Sequence, residues 1–454
     1  MRLALLLAVV AACGDNLTPP LEAGAARSGA RLKVERYVYP DGTTQFETSR
    51  FYDAQRGEEC TPEVWSDGQT YCTPAFSEAV YSDADCLGLI GRVEEADRVP
   101  DYFLRTYTLD GVEHPSKLFE AGAAVQPPQA IWRLRNGACF GPETPGPDDR
   151  FYNLGTEVRR ELLVRIKHAT SKEPSRIAVT SVITDDGLQV PTELSDRELE
   201  RPCDLDLAAT GGVIQCIPRG AREASYYADE ACSVAQLDVS LGEPVPPVVW
   251  TRDTATGCTA YHEVGDLVIG PVFRRIVGAC QPVNAPSDAQ FYRLERPFEV
   301  ATLARTRDHR DGRRLLGIHA SEGELTIDDP RLFDTELATE CRRTEIAPGD
   351  FRCVPVTATP VTALFANPEC TDELLIALID TSTCALRAPY AMRTDVDAIT
   401  FHALGEPRTA PAYFISTGER CLPFTPTEPD IAMYNVGPAL TEAKLAPATV
   451  VTDP

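Results

Sequence analysis

Residues 175–190 read SRIAVTSVITDDGLQV and residues 31–47 read RLKVERYVYPDGTTQFE. In each, an Asp-Gly pair (Asp186-Gly187, Asp41-Gly42) stands between runs of β-branched and aromatic residues. That is the strongest short-range hairpin signal, because tight two-residue turns need positive φ and these residues tolerate it. A third stretch carries Glu322-Gly323 in the same place, a weaker turn former. The 37 prolines and the frequent Gly, Asp and Asn between short apolar runs also favour strands and turns over long helices. In EVRRELLVRIKHA, Val158, Leu162 and Ile166 fall four apart, which suits a helix, yet the flanks suit a linker or strand equally.

Working outward, the chain aligns with itself at a period of about 140 residues. Asp53, Asp196 and Asp334 each stand seven residues before Cys60, Cys203 and Cys341. Cys72, Cys216 and Cys353 each stand two before a proline, and Cys86, Cys232 and Cys370 close YSDADC, YADEAC and FANPEC. Cys139, Cys280 and Cys421 follow at equal separations of 141. A smaller motif recurs in the rear half of each copy, as LFEAG and FYNLG, YHEVG and FYRLE, FHALG and MYNVG. These spacings predict an all-β chain of three repeats, over residues 31–157, 158–300 and 301–440, with a C-terminal tail at 441–454. A six-bladed β-propeller-like array, two blades from each repeat, fits the motif spacing. Three tandem β-sandwich domains are the alternative. Asp83, Asp229 and Asn367 are expected as turn formers whose side chains bond backbone N–H groups just downstream.

The first twelve residues have the parts of an export signal: Arg2, the apolar run Leu3–Val10, then small residues. Val10-Ala11-Ala12-Cys13 has the form of a lipobox, which makes Cys13 the lipidation site and residues 13–30 a lipidated tether. The competing expectation is an ordinary signal cut after Ala12. Gly14 after Cys13 leans the sorting towards the outer membrane. No later segment approaches the roughly 20 apolar residues that span a bilayer. The 68 acidic and 43 basic side chains leave a net charge of −25, which repels phosphate backbones, so no nucleic-acid partner is expected.

Fifteen cysteines in an exported chain are expected to pair, and setting Cys13 aside leaves an even fourteen. The repeated short spacing predicts Cys60–Cys72, Cys203–Cys216 and Cys341–Cys353. Cys258 and Cys384 occupy no shared place, which suggests Cys258–Cys280 and Cys370–Cys384, with Cys86 joining Cys139. Cys232 and Cys421 then pair across copies or stay free.

Chemistry is less legible. His262 and His402 fall at one repeat position, where the first copy has Phe119, and are candidate metal contacts against the reading of an aromatic strand position that admits imidazole. No nucleophile elbow, Walker loop, dinucleotide fingerprint or HExxH occurs, so no cofactor is expected. The acidic stretches Ser82–Asp85 and Asp204–Asp206 lack the glycine and distal glutamate of a calcium loop. Trp65, Trp132 and Trp250 suit either sugar stacking or core packing.

The lipobox followed by CGDN, the GEEC…YCTP…YSDADC block and the GAC…FYNLG block together resemble cysteine-rich repeat lipoproteins of myxobacteria, which are largely uncharacterised. The resemblance implies a lipid-anchored envelope protein and transfers no catalytic residue. The expectation is a non-enzymatic binding or structural module with a glycan or protein ligand. The alternative is an exported propeller hydrolase or lyase acting on a glycan or peptide.

Overall fold

The computed structural model describes residues 26–94, 100–109, 112–135, 137–172, 174–207, 213–253, 256, 258–276, 279–308, 313–381, 388–394, 399–408, 413–416, 420–424 and 431–453. The expected export signal, Cys13 and most of the tether lie outside them.

The fold is all-β. Fifteen strands close into one barrel in which every neighbouring pair is antiparallel. The first third supplies Leu32–Val38, Thr44–Asp53, Glu58–Val64 and Thr70–Pro74. The second supplies Arg165–Thr170, Ile177–Thr184, Gln189–Asp196, Arg201–Leu207 and Val213–Pro218. The third supplies Ala301–Arg307, Leu315–Glu322, Leu325–Asp334, Thr339–Ala347 and Asp350–Pro355. Ala446–Thr452 completes the ring by pairing with Leu32–Val38 on one side and Asp350–Pro355 on the other. The stretch expected as a C-terminal tail therefore carries a barrel strand. Of the ambiguous EVRRELLVRIKHA, Arg160–Leu162 makes a single 3-10 turn and Arg165–Thr170 is strand.

Between barrel strands each third inserts a separate sheet, of seven, eight and seven strands in chain order. Strands are thus shared between one barrel and three sheets, and do not divide into six four-stranded blades. Nor are there three tandem sandwiches, for a packing reason. Cys60 and Cys72 lie in a core with Leu32, Phe51 and Val182; Cys203 and Cys216 with Leu303 and Ile327; Cys341 and Cys353 with Tyr39 and Ala446. Each core draws on two thirds of the chain. A lone third would leave these side chains in water, at about 1.5–3 kcal/mol for each large one.

The hairpin tips lock the ring. Asp41 Oδ2 accepts the Leu315 N–H at 2.7 Å, Asp186 Oδ2 accepts the Leu32 N–H at 2.9 Å, and Glu322 Oε2 accepts the Ile177 N–H at 3.0 Å. Leu32, Ile177 and Leu315 hold the same register, each opposite a buried aspartate: Asp53, Asp196 or Asp334. The first turn holds the third strand set, the second holds the first, and the third holds the second. Gly42 and Gly187 take φ of +81° and +99°, which lets these turns close tightly enough to present their carboxylates. Glu322 makes the same contact from the weaker Glu-Gly turn.

A second device explains why an aspartate precedes each first cysteine. Asp53, Asp196 and Asp334 are buried and paired to Arg31, Arg176 and Arg314. Each also accepts N–H groups two and three residues on, turning the chain into the cysteine strand. Each arginine donates in addition to a backbone carbonyl where the inserted sheet returns to the barrel, at Leu162, Glu299 or Lys444.

In the inserted sheets, Asp83 accepts the Leu87 N–H at 3.0 Å, Asp229 the Ser233 and Val234 N–H groups at 2.9 and 2.8 Å, and Asn367 that of Thr371 at 3.0 Å. These are the turns expected from sequence. Within them Cys86, Cys232 and Cys370 sit at φ of 53°, 50° and 53°, which aims each sulfur at the hairpin bearing its partner. The pairs are Cys86–Cys139, Cys232–Cys280 and Cys370–Cys421, beside the barrel pairs Cys60–Cys72, Cys203–Cys216 and Cys341–Cys353. The expected Cys258–Cys280 and Cys370–Cys384 bonds are thereby corrected. The repeated turn decides the pairing, and chain proximity does not. Cys258 is itself disulfide-bonded, and Cys384 lies outside the described residues. The rear motifs mark two long paired strands that pass closely, since a Cβ on Gly122 or Gly437 would fall 2.6 Å from the Asn153 or Ala403 carbonyl oxygen.

Candidate functional site

A cavity of about 640 Å³ opens among barrel strands from all three thirds. Thr44–Thr48 lines it from the first, Pro191–Leu194 and Asp204 from the second, and Gly317–His319 with Ile327–Pro330 from the third. Ile318 and Ile327 belong to a core and also border the cavity, beside the polar His319 and Asp328.

The wall is rich in charge, and its carboxylates are engaged. Glu47 accepts from Arg343 at 2.9 Å, while that guanidinium lies 3.8 Å above the Tyr37 ring and so ties the first third to the last. Arg219 donates to Glu193 at 2.9 Å and to Asp204 at 3.0 Å. Asp329, fully buried at its side chain, holds Arg331. Asp308 and Asp328 flank His319, at 3.1 Å from Nε2 and 2.8 Å from Nδ1. Burial works to lower the His319 pKa, but the two carboxylates outweigh it and hold it above the ordinary imidazole value. Each ring nitrogen faces a carboxylate oxygen, an arrangement that favours the protonated ring, in which neither nitrogen has a lone pair free to act as a base.

Two wall guanidiniums differ. Among the described residues, Arg313 and Arg342 make no ion pair; Arg313 acts on Asp41 only as a more distant charge, and Arg342 is exposed. The hydroxyls of Thr44 and Thr48 likewise meet no hydrogen-bond partner among the described residues.

A second cavity, of about 440 Å³, is lined by Trp250 and Tyr261 and shares Asp204, Leu205 and Arg219 with the first. Burial raises the Tyr261 hydroxyl to a pKa of about 12, with Asp206 adding to the effect. Of the other tryptophans, Trp65 is a core residue whose Nε1 donates to Thr73 at 3.0 Å, and Trp132 stands opposite Tyr81 in the first inserted sheet.

His262 and His402 do not come together. Each stays in its own inserted sheet, with Nδ1 donating to a carbonyl (Glu295 at 3.2 Å, Gly437 at 3.1 Å) and Nε2 accepting from a threonine (Thr251 at 3.1 Å, Thr400 at 3.3 Å). Through Nδ1 each imidazole bonds across to a neighbouring strand, which Phe119 at the matching place cannot do. Among the described residues, no group of three or more His, Cys, Asp or Glu is arranged to hold a metal ion. Sequence reasoning passed over His319. Its signal lies in the hairpin alignment, where Arg36, Ser181 and His319 share one position and Arg36 pairs with Asp453 much as His319 pairs with Asp308.

Fold and cavity together define a disulfide-stapled all-β barrel protein with a pocket whose wall carries ion pairs. The chain matches the family of unknown function DUF7481 over residues 5–445 and belongs to that family. No curated protein and no solved structure matches it.

Proposed function

We propose that this chain is a lipid-anchored protein of the cell envelope, sorted to the outer membrane through Cys13, whose stapled barrel works as a ligand-binding module. The observation that carries the binding reading is the cavity contributed by all three thirds, where carboxylates are held by cations while two guanidiniums and two hydroxyls have no partner among the described residues. The anchor is supported by the lipobox and by the resemblance to myxobacterial repeat lipoproteins. The disulfides suit an oxidising compartment. A doubly bonded His319 favours holding a ligand over turning one over.

Two measurements test this. Replacing Cys13 with serine should release the protein from membranes without lowering its melting temperature; a processed Cys13→Ser chain that stays membrane-bound contradicts the anchor. Lipid-free protein screened against envelope glycans and peptides should bind without turnover. Reproducible turnover favours the hydrolase or lyase reading instead.

A further inference from the structure

We infer that the two cavities, which share Asp204, Leu205 and Arg219 in their walls, form one site for a carboxylated saccharide, in which Arg313 and Arg342 take a uronate carboxylate and the Trp250 ring stacks on a neighbouring sugar. This rests on the binding reading above and narrows it to a ligand class.

The first support is the pair of guanidinium donors. A wall whose acids are already hydrogen-bonded has no use for two further guanidiniums, and an unengaged guanidinium offers a planar fork that matches a carboxylate with two parallel bonds. The second is the surroundings of that fork. Thr44 and Thr48 present open hydroxyls in the first cavity, and the wall the cavities share leads to Trp250 and Tyr261 in the second. Hydroxyl-bearing walls beside an aromatic face suit a polyhydroxylated ring, which has polar edges and an apolar face. The third is size, since about 640 and 440 Å³ each fall within the roughly 300–1,000 Å³ of small-molecule sites. The net charge of −25 does not forbid an acidic ligand. At physiological salt, charges beyond about 8 Å are largely screened, and within the wall the carboxylates have cationic partners whereas Arg313 and Arg342 make no ion pair among the described residues.

The test is calorimetric titration of the full chain, disulfides intact, with trigalacturonate, maltotriose and citrate. Trigalacturonate should bind at least about tenfold more tightly than either of the others, and the double variant Arg313→Gln/Arg342→Gln should lose about tenfold for trigalacturonate alone. A melting temperature within the error of the parent shows that the double variant is folded, as expected for side chains without ion pairs among the described residues. Trp250→Leu should weaken trigalacturonate and maltotriose together; if that variant melts early, the arginine pair carries the test. Maltotriose binding as well as trigalacturonate overturns the acidic ligand but leaves the binding module standing. Citrate binding as well overturns the saccharide. No heat with any of the three overturns this inference, and the wider glycan and peptide screen then decides separately whether the chain binds at all.

Discussion

The Asp186 carboxylate accepts the Leu32 amide at 2.9 Å and the Arg31 amide at 2.6 Å, so a turn in the second third of the chain holds the start of the first. Burial works to raise the Asp186 pKa, but Thr184 and these amides outweigh it and hold it below the usual 3.8. Asp41 is lowered in the same way by Leu315 and Thr43 against its own burial. A depressed carboxyl contributes stability that is present above the unfolded pKa and is lost as pH falls through the folded one. Melting temperature should therefore drop below about pH 4. In Asp186→Asn, which keeps an acceptor and removes the titration, that acid limb should be shallower; an unchanged limb contradicts the role given to this turn.

Asp196 should be among the costliest single positions in the barrel. Replacing it with alanine leaves the half-buried Arg176 without its bidentate partner and frees the amides of Glu198 and Leu199. Breaking a buried pair from one side costs about 3 kcal/mol or more. Urea unfolding should show that loss in Asp196→Ala, while a loss under about 1 kcal/mol would place the clamp among surface pairs.

Non-reducing peptide mapping should recover Cys232 with Cys280 and Cys370 with Cys421. Cys258 is also bonded, so once the twelve paired cysteines are set aside only Cys13 and Cys384 remain for it. If Cys13 carries lipid, the map should show Cys258 joined to Cys384. A Cys13–Cys258 peptide would remove the lipid anchor altogether.

The His319 ring should titrate above 6.5 by proton NMR, and Asp308→Asn should bring it down. The sign is opposite to that of the turn carboxylates. A raised imidazole pKa gives stability that is present below the unfolded value and is lost as pH rises through the folded one. A His319 resonance titrating below 6.5 contradicts the flanking by two carboxylates.

Much of this was legible in the sequence because it is local. The Asp-Gly turns, the turn-forming Asp83, Asp229 and Asn367, and the short cystines each depend on residues within about a dozen positions of one another. The ring was not legible, because Ala446–Thr452 pairs with Leu32–Val38 across the whole chain and no spacing reports that. Cys258 misled for a related reason. It stands near Cys280 in sequence, but the left-handed Cys232 is the residue aimed at that hairpin. At the site, Trp250 was visible as a residue type, whereas Arg313, Arg342 and His319 acquire meaning only once three hairpins meet.

The most direct test of the central claim is hydrogen exchange of the full chain, with and without saturating trigalacturonate, read by mass spectrometry at peptide resolution. Protection should appear together in three separated segments, around 43–48, 191–194 and 317–330, because all three thirds line the cavity. Protection confined to one third, or none at saturation, would contradict a binding site built by closure of the ring.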